Sequence, residues 1–125
     1  MEFESSFIHL CIKDGILVGT YKNNVHIDLE VAKQIVLNRI HFTGGKKMPS
    51  IIRSEGIVSI EKPAREYLAS EEGTRGLLAA AIVVNSHFSK VLGNFFREVN
   101  KTKLPVRIFT NVSRAERWLK QFVTE

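Results

Sequence analysis

The first apolar pattern along the chain is that of a β-hairpin. Two β-rich runs, Phe7–Ile12 and Ile16–Tyr21, are separated by a short polar segment that contains Asp14-Gly15. Asp-Gly favours the positive φ angles of a tight primed turn. A two-residue loop there pairs Ile12 with Leu17 and places one apolar set on one face of the hairpin.

Apolar residues at three- and four-residue spacing predict four helices, of which the first two lie in the first 75 residues. The first begins after Asp28, its expected N-cap, and ends near Gly44-Gly45. The second opens with Ser59 as N-cap and Pro63 in its first turn, and ends at Glu71-Glu72-Gly73.

The third helix shows the clearest periodicity, with apolar residues recurring from Phe88 to Val99 and Ser86 as the expected cap. Ser113-x-x-Glu116 has the spacing of a capping box and predicts a last helix, whose inward stripe includes Trp118.

Three further strands are predicted at Met48–Arg53, Leu77–Val84 and Pro105–Phe109. The run Leu77–Val84 is apolar throughout, as expected for a central strand that is buried on both faces. The predicted order is ββαβαβαβα: an N-terminal β-hairpin followed by four strand-helix units. It indicates a single α/β domain over residues 1–125 with a mostly parallel, five-stranded sheet.

This order resembles the STAS domains, and more narrowly the small bacterial SpoIIAA-like STAS proteins that are grouped with the CRAL-TRIO lipid-transfer superfamily. The resembling segments are Asp14-Gly15, Ala64-Arg65-x-Tyr67-x-Ala69, Ala80-Ala81-Ile82-Val83-Val84-Asn85-Ser86, Leu92-Gly93-Asn94-Phe95-Phe96, Pro105-x-x-Ile108-Phe109 and Ala115-x-x-Trp118-Leu119.

The resemblance implies a non-enzymatic regulatory or protein-interaction module that senses a small anionic or lipid ligand. Its alternative is a lipid or small-molecule carrier of the CRAL-TRIO type. STAS regulators also carry a phosphorylatable serine in an Asp-Ser-x-Gly signature after the third strand. Here that segment lacks the Asp-Ser pair, and its hydroxyl candidates are Ser54 and Ser59, the second of which also fits a helix N-cap.

Composition narrows the class of protein further. The chain has 125 residues, is 44% hydrophobic and 25% charged, and holds a single cysteine, Cys11. These values are typical of a soluble globular domain without disulfides, and we expect a cytoplasmic protein with no transmembrane segment. The net charge is +5, and residues 76–125 hold eight basic and three acidic groups. The basic residues are dispersed, which favours a solvated face over specific nucleic-acid binding.

The residues that carry chemistry lie apart in the sequence. The histidines His9, His26, His41 and His87 belong to separate elements and lack metal-ligand spacing. Cys11 on a strand is more typical of a small buried hydrophobe than of a thiolate. We therefore expect no catalytic set, metal or cofactor.

Topology gives a location for a ligand. In open α/β sheets, ligands bind beyond the carboxyl ends of the parallel strands. The candidate ligand-binding residues at those ends are Arg53, Ser54, Asn85, Ser86, His87 and Asn111. Each of them also fits a role in a cap or turn.

The sheet itself suggests a protein partner. If the helices lie largely on one side, the other face needs cover, and Arg53 and Arg107 edge it. That face is expected to bind a second copy or another protein, or to be covered by the N-terminal segment.

Overall fold

The computed structural model of the chain describes residues 1–85 and 89–124. The strands within them are β1 (Glu2–Glu4), β2 (Ile8–Lys13), β3 (Ile16–Tyr21), β4 (Val25–Ile27), β5 (Met48–Arg53), β6 (Ile57–Ile60), β7 (Leu77–Val83) and β8 (Val106–Phe109). The helices are α1 (Leu29–Thr43), α2 (Lys62–Leu68), α3 (Lys90–Asn100) and α4 (Val112–Leu119), which a 3₁₀ helix at Lys120–Phe122 extends.

The main sheet has six strands in the order β1-β2-β3-β5-β7-β8. The first three strands pair antiparallel and the others parallel, which confirms the α/β class. The prediction of five strands is wrong because β1 also pairs with β2, with Phe3 opposite Leu10. A three-residue strand with one apolar position gives no periodic signal.

A second sheet of two parallel strands, β4 and β6, was not predicted. Each of its strands follows a strand of the main sheet and precedes a helix, and Val25, Ile27 and Ile60 are buried in the core. Because Ser59 lies on β6, the prediction that it caps α2 is wrong. The N-cap is Glu61, which makes no side-chain capping bond.

Local signals placed the hairpin and α1 correctly. Ile12 pairs with Leu17, and Asp14 and Gly15 have φ angles of 54° and 79°. At the start of α1, the Asp28 carboxylate accepts a hydrogen bond of 2.8 Å from the Val31 N–H.

Three other helix ends differ from prediction. The N-cap of α3 is Ser89, whose hydroxyl accepts from the Leu92 N–H, whereas Ser86 and Phe88 lie outside the described residues. The N-cap of α4 is Asn111 rather than Ser113, which falls inside the helix. The helix α2 ends at Leu68, before the predicted Glu71-Glu72-Gly73.

The sheet is covered on both faces. Helices α1, α2 and α3 pack on one face around a core that includes Ile35, Val36 and Phe95. Helix α4 covers part of the other face through Ala115 and Leu119, both of which are 0% exposed. The expectation that the N-terminal segment covers this face is therefore wrong for the part under α4.

The aromatic residues beside α4 form a second layer over this part of the sheet. The ring of Trp118 lies 5.8 Å from that of Phe109 and 5.1 Å from that of Phe122, centroid to centroid. Trp118 therefore packs against the sheet, as its place in the stripe predicts. Among the described residues, no helix has the length and apolar character needed to span a membrane.

After α4 the chain crosses back to the hairpin. A Cβ added at Gly15 would lie 2.7 Å from Val123 Cγ1, so the Val123 side chain rests directly on the turn. The C-terminal segment thus joins the last helix to the first hairpin.

Candidate functional site

The carboxyl ends of the parallel strands come out at one edge of the sheet. Arg53 on β5 is level with Val83 on β7, and Val83 is level with Phe109 on β8. Residues that directly follow these strands therefore share that edge, as predicted for Ser54, Asn85 and Asn111. The candidates Ser86 and His87 lie outside the part of the chain that the structure describes.

Two of these predicted ligand-binding residues are engaged in holding the fold. Ser54 is 1% exposed, and both its hydroxyl (2.9 Å) and its N–H (3.2 Å) donate to the carbonyl oxygen of Val83. The Asn111 side-chain oxygen accepts from the Arg114 N–H at 3.1 Å and caps α4. Both residues therefore serve the structural roles that the sequence left as alternatives.

Arg53, Asn85 and Asn111 are the exposed members of the predicted set, and of these Asn111 already serves as the cap of α4. One guanidinium nitrogen of Arg53 lies 4.0 Å from a carboxylate oxygen of Glu55, at the outer limit of an ion pair. Exposed pairs of this length contribute little to stability, so the Arg53 head group is able to reorient toward a solute.

The two candidate phosphorylation sites differ in access. Ser54 is buried, and a kinase cannot reach its hydroxyl while β5 and β7 remain paired. Ser59 is half-buried on β6, where its hydroxyl lies 2.8 Å from Nδ1 of the exposed His26. Of the two, Ser59 has the hydroxyl that an enzyme reaches from solvent.

The structure keeps the described histidines apart. His9 Nε2 contacts a Glu2 carboxylate oxygen at 2.6 Å, His26 contacts Ser59, and His41 lies in the last turn of α1. Cys11 is a half-buried free thiol on β2. Within residues 1–85 and 89–124, no three His, Cys, Asp or Glu side chains are grouped so as to hold a metal ion.

A cleft of about 520 Å³ lies at the opposite edge of the sheet, where β7 and β8 begin. Its lining includes the polar residues Glu71, Thr74, Thr102 and Lys103 together with Leu78. Sequence reasoning missed this cleft because it searched only the carboxyl ends of the strands.

Two small cavities lie between the helices and the sheet, one beneath α1 and the other beneath α1, α2 and α3. Their volumes are about 40 and 50 Å³. Sites for drug-sized ligands have volumes of roughly 300–1,000 Å³. Neither cavity therefore holds a lipid chain in this conformation.

A family model described as a domain of unknown function, DUF7793, matches residues 10–123. The chain belongs to the DUF7793 family. The DUF7793 match starts within β2 and ends at Val123, the residue that packs on the hairpin turn. It includes the core under α4 and, apart from Ile8, the buried residues of the other core, and it leaves β1 outside. No curated protein matches the chain.

One buried feature of this DUF7793 chain also escaped the sequence reasoning. Arg39 lines both core cavities. It lies on the inward stripe of α1, four residues after Ile35 and three after Val36. A charged residue at such a position was the available signal, since inward positions of an amphipathic helix are normally apolar.

Proposed function

We propose that this DUF7793 protein is a non-enzymatic, STAS-like regulatory module that acts by binding a protein partner. We propose that this partner is a second copy of the same chain. The succession of a hairpin and strand-helix units around a mostly parallel sheet supports the STAS-like assignment. The surface beside α4 supports a role in binding.

The observation that carries the proposal is the uneven cover of the sheet. Helix α4 packs chiefly on β5, β7 and β8. On the same face of β2 and β3, Cys11, Val18 and Thr20 remain half-exposed, and Val18 marks the border of the patch because it also packs against the core under α4. A mixed apolar and polar patch on a sheet is a surface on which a second protein gains stability by excluding water.

Charge along this face favours a second copy as the occupant. Glu2 and Glu4 project from β1 at one side of the face, where they contact His9 and Lys22 of the same copy, whereas Arg53 and Arg107 lie beyond it on β5 and β8. A two-fold axis through the open patch brings the acidic side of one copy over the basic side of the other. Such self-complementarity is what an isologous dimer requires.

We propose further that the exposed Arg53 and Asn85, at the adjacent sheet edge, contact a small anionic ligand that modulates this assembly. The alternative function, a lipid carrier, requires an interior space several times larger than the cavities of about 40 and 50 Å³. The cavity volumes thus favour the module.

Light scattering on a size-exclusion column, over a concentration series, tests the dimer. Val18→Arg places a charge in the open patch, whereas Val58→Arg places the same charge at a residue on β6 that is 46% exposed. We expect the native protein and Val58→Arg to dimerise and Val18→Arg to stay monomeric. A native protein that is monomeric throughout the series contradicts the proposal, and a co-purified lipid in native mass spectrometry favours the carrier.

A further inference from the structure

Arg39 on α1 is a cation held inside the helix-covered half of the protein. Its Nη2 donates two hydrogen bonds of 2.9 Å, to the carbonyl oxygens of Gly73 and Arg75 in the segment between α2 and β7. These bonds fix one end of the guanidinium fork. A guanidinium has five N–H donors, so this arrangement uses only part of its capacity.

Among residues 1–85 and 89–124, no carboxylate forms an ion pair with Arg39. The ion pairs found among the described residues join His9 to Glu2, Lys22 to Glu4, Arg53 to Glu55 and Lys101 to Glu98. Burial lowers the pKa of Arg39, because removal of the guanidinium from water disfavours its charged form. A half-buried cation that no described carboxylate pairs with attracts an anion from solution.

The space beside Arg39 is suited to a small molecule with one polar end. The two core cavities, of about 40 and 50 Å³, share Arg39 and Tyr21 in their lining, together with Ile35, Ile52 and Leu77. The Tyr21 hydroxyl is a hydrogen-bond donor at neutral pH, as phenols are, and burial raises its pKa further, to about 12. The cavities therefore place the Arg39 guanidinium and the Tyr21 hydroxyl beside apolar walls.

We propose that these cavities form a binding site for a short-chain aliphatic monocarboxylate of two to four carbons, with its carboxylate on Arg39 and Tyr21. The planar guanidinium fork matches a carboxylate, and the apolar walls made by Ile35, Ile52 and Leu77 accommodate the alkyl chain. An inorganic anion leaves those walls without a partner. The proposal does not depend on dimer formation, because all of these residues lie on the opposite face of the sheet from the open patch.

Isothermal titration of the full-length protein with sodium butyrate, sodium acetate and sodium chloride tests this site. We expect saturable binding of butyrate and acetate, and none of chloride. Arg39→Gln removes the charge and keeps one amide donor for the Gly73 carbonyl, and it is expected to weaken butyrate binding roughly 10- to 100-fold. The matched control is Arg97→Gln, which removes an equal charge from the exposed side of α3.

A second variant changes the space and leaves Arg39 intact. A Cβ at Gly19 would lie 3.3 Å from Ile8 Cδ1 and 3.4 Å from Leu10 Cδ2, so Gly19→Ala fits with a small shift and narrows one cavity. We expect it to weaken butyrate binding more than acetate binding. This variant keeps the proposal testable if Arg39→Gln does not fold.

Amide chemical shifts of the native protein locate the ligand. We expect butyrate to shift the N–H signals of Gly73, Thr74 and Arg75. The carbonyl groups of Gly73 and Arg75 accept hydrogen bonds from Arg39, and Thr74 lines the cavity. Equal responses to butyrate and chloride, unchanged affinity in Arg39→Gln, or shifts confined to other segments would each show that Arg39 only ties α1 to this segment.

Discussion

Replacing Gly15 by alanine tests the contact between the hairpin turn and the C-terminal segment. At a φ of 79°, an L-residue in the left-handed region costs roughly 1–2 kcal/mol. The new Cβ also meets Val123 Cγ1 at 2.7 Å, and moving that side chain away costs about another 0.5–1.5 kcal/mol of lost burial. Gly15→Ala is therefore expected to lower the free energy of unfolding by about 1.5–3.5 kcal/mol.

The matched background is Val123→Ala, which removes both methyl groups near the turn. In that background Gly15→Ala retains the backbone strain but loses the collision, so its cost is expected to fall to roughly 1–2 kcal/mol. Urea unfolding of the native protein, both single variants and the double variant measures the difference. An equal cost of Gly15→Ala in the two backgrounds would refute the packing of Val123 on the turn.

Three further predictions follow from individual contacts. Asn111→Ala is expected to lower the free energy of unfolding by about 1 kcal/mol, measured by thermal unfolding, because Asn111 caps α4. Ser113→Ala is expected to leave it nearly unchanged, and a larger loss in Ser113→Ala than in Asn111→Ala would contradict the assigned cap. Because Tyr21 has its pKa raised to about 12 in the folded protein, the stability that it contributes is present below pH ~10 and is lost as the pH rises toward 12. The difference in absorbance at ~295 nm between the native protein and Tyr21→Phe follows the Tyr21 phenolate apart from that of Tyr67, and Tyr21→Phe is expected to remove this loss of stability; a Tyr21 phenol that ionises near pH 10 would contradict its burial. Ser54→Ala is expected to cost roughly 1 kcal/mol, because the Ser54 N–H continues to satisfy the Val83 carbonyl; a change in melting temperature indistinguishable from zero would contradict the bond from its hydroxyl.

The sequence predicted those parts of the fold that local interactions decide. The hairpin register and the cap of α1 depend on neighbouring residues, namely Asp14-Gly15 and Asp28, and both are confirmed. The cap of α4 was misplaced because Asn111 and Ser113 both have capping side chains, and only the end of β8 decides between them. The small sheet was missed because β4 and β6 have three and four residues, and their pairing joins segments about 30 residues apart.

The sequence predicted where the candidate site lies but not which contacts its side chains make. Parallel strands bring their carboxyl ends together, so the shared edge of Ser54, Asn85 and Asn111 follows from topology. The use of each side chain depends on its spatial neighbours: Ser54 turns inward because the Val83 carbonyl is available across the strand pair. Arg39 was overlooked because its partners, the carbonyls of Gly73 and Arg75, lie more than 30 positions away in the chain.

The contact between Val123 and Gly15 also has a consequence for synthesis of the protein on the ribosome. The hairpin turn is made about 110 residues before the segment that packs on it, and translation proceeds at roughly 5–20 residues per second. The apolar face of the sheet is therefore without α4 for ~5–20 s at Ile16 and for ~3–14 s at Ile51. This apolar surface stays open to solvent, and so open to aggregation, until α4 has been synthesised and packs on it.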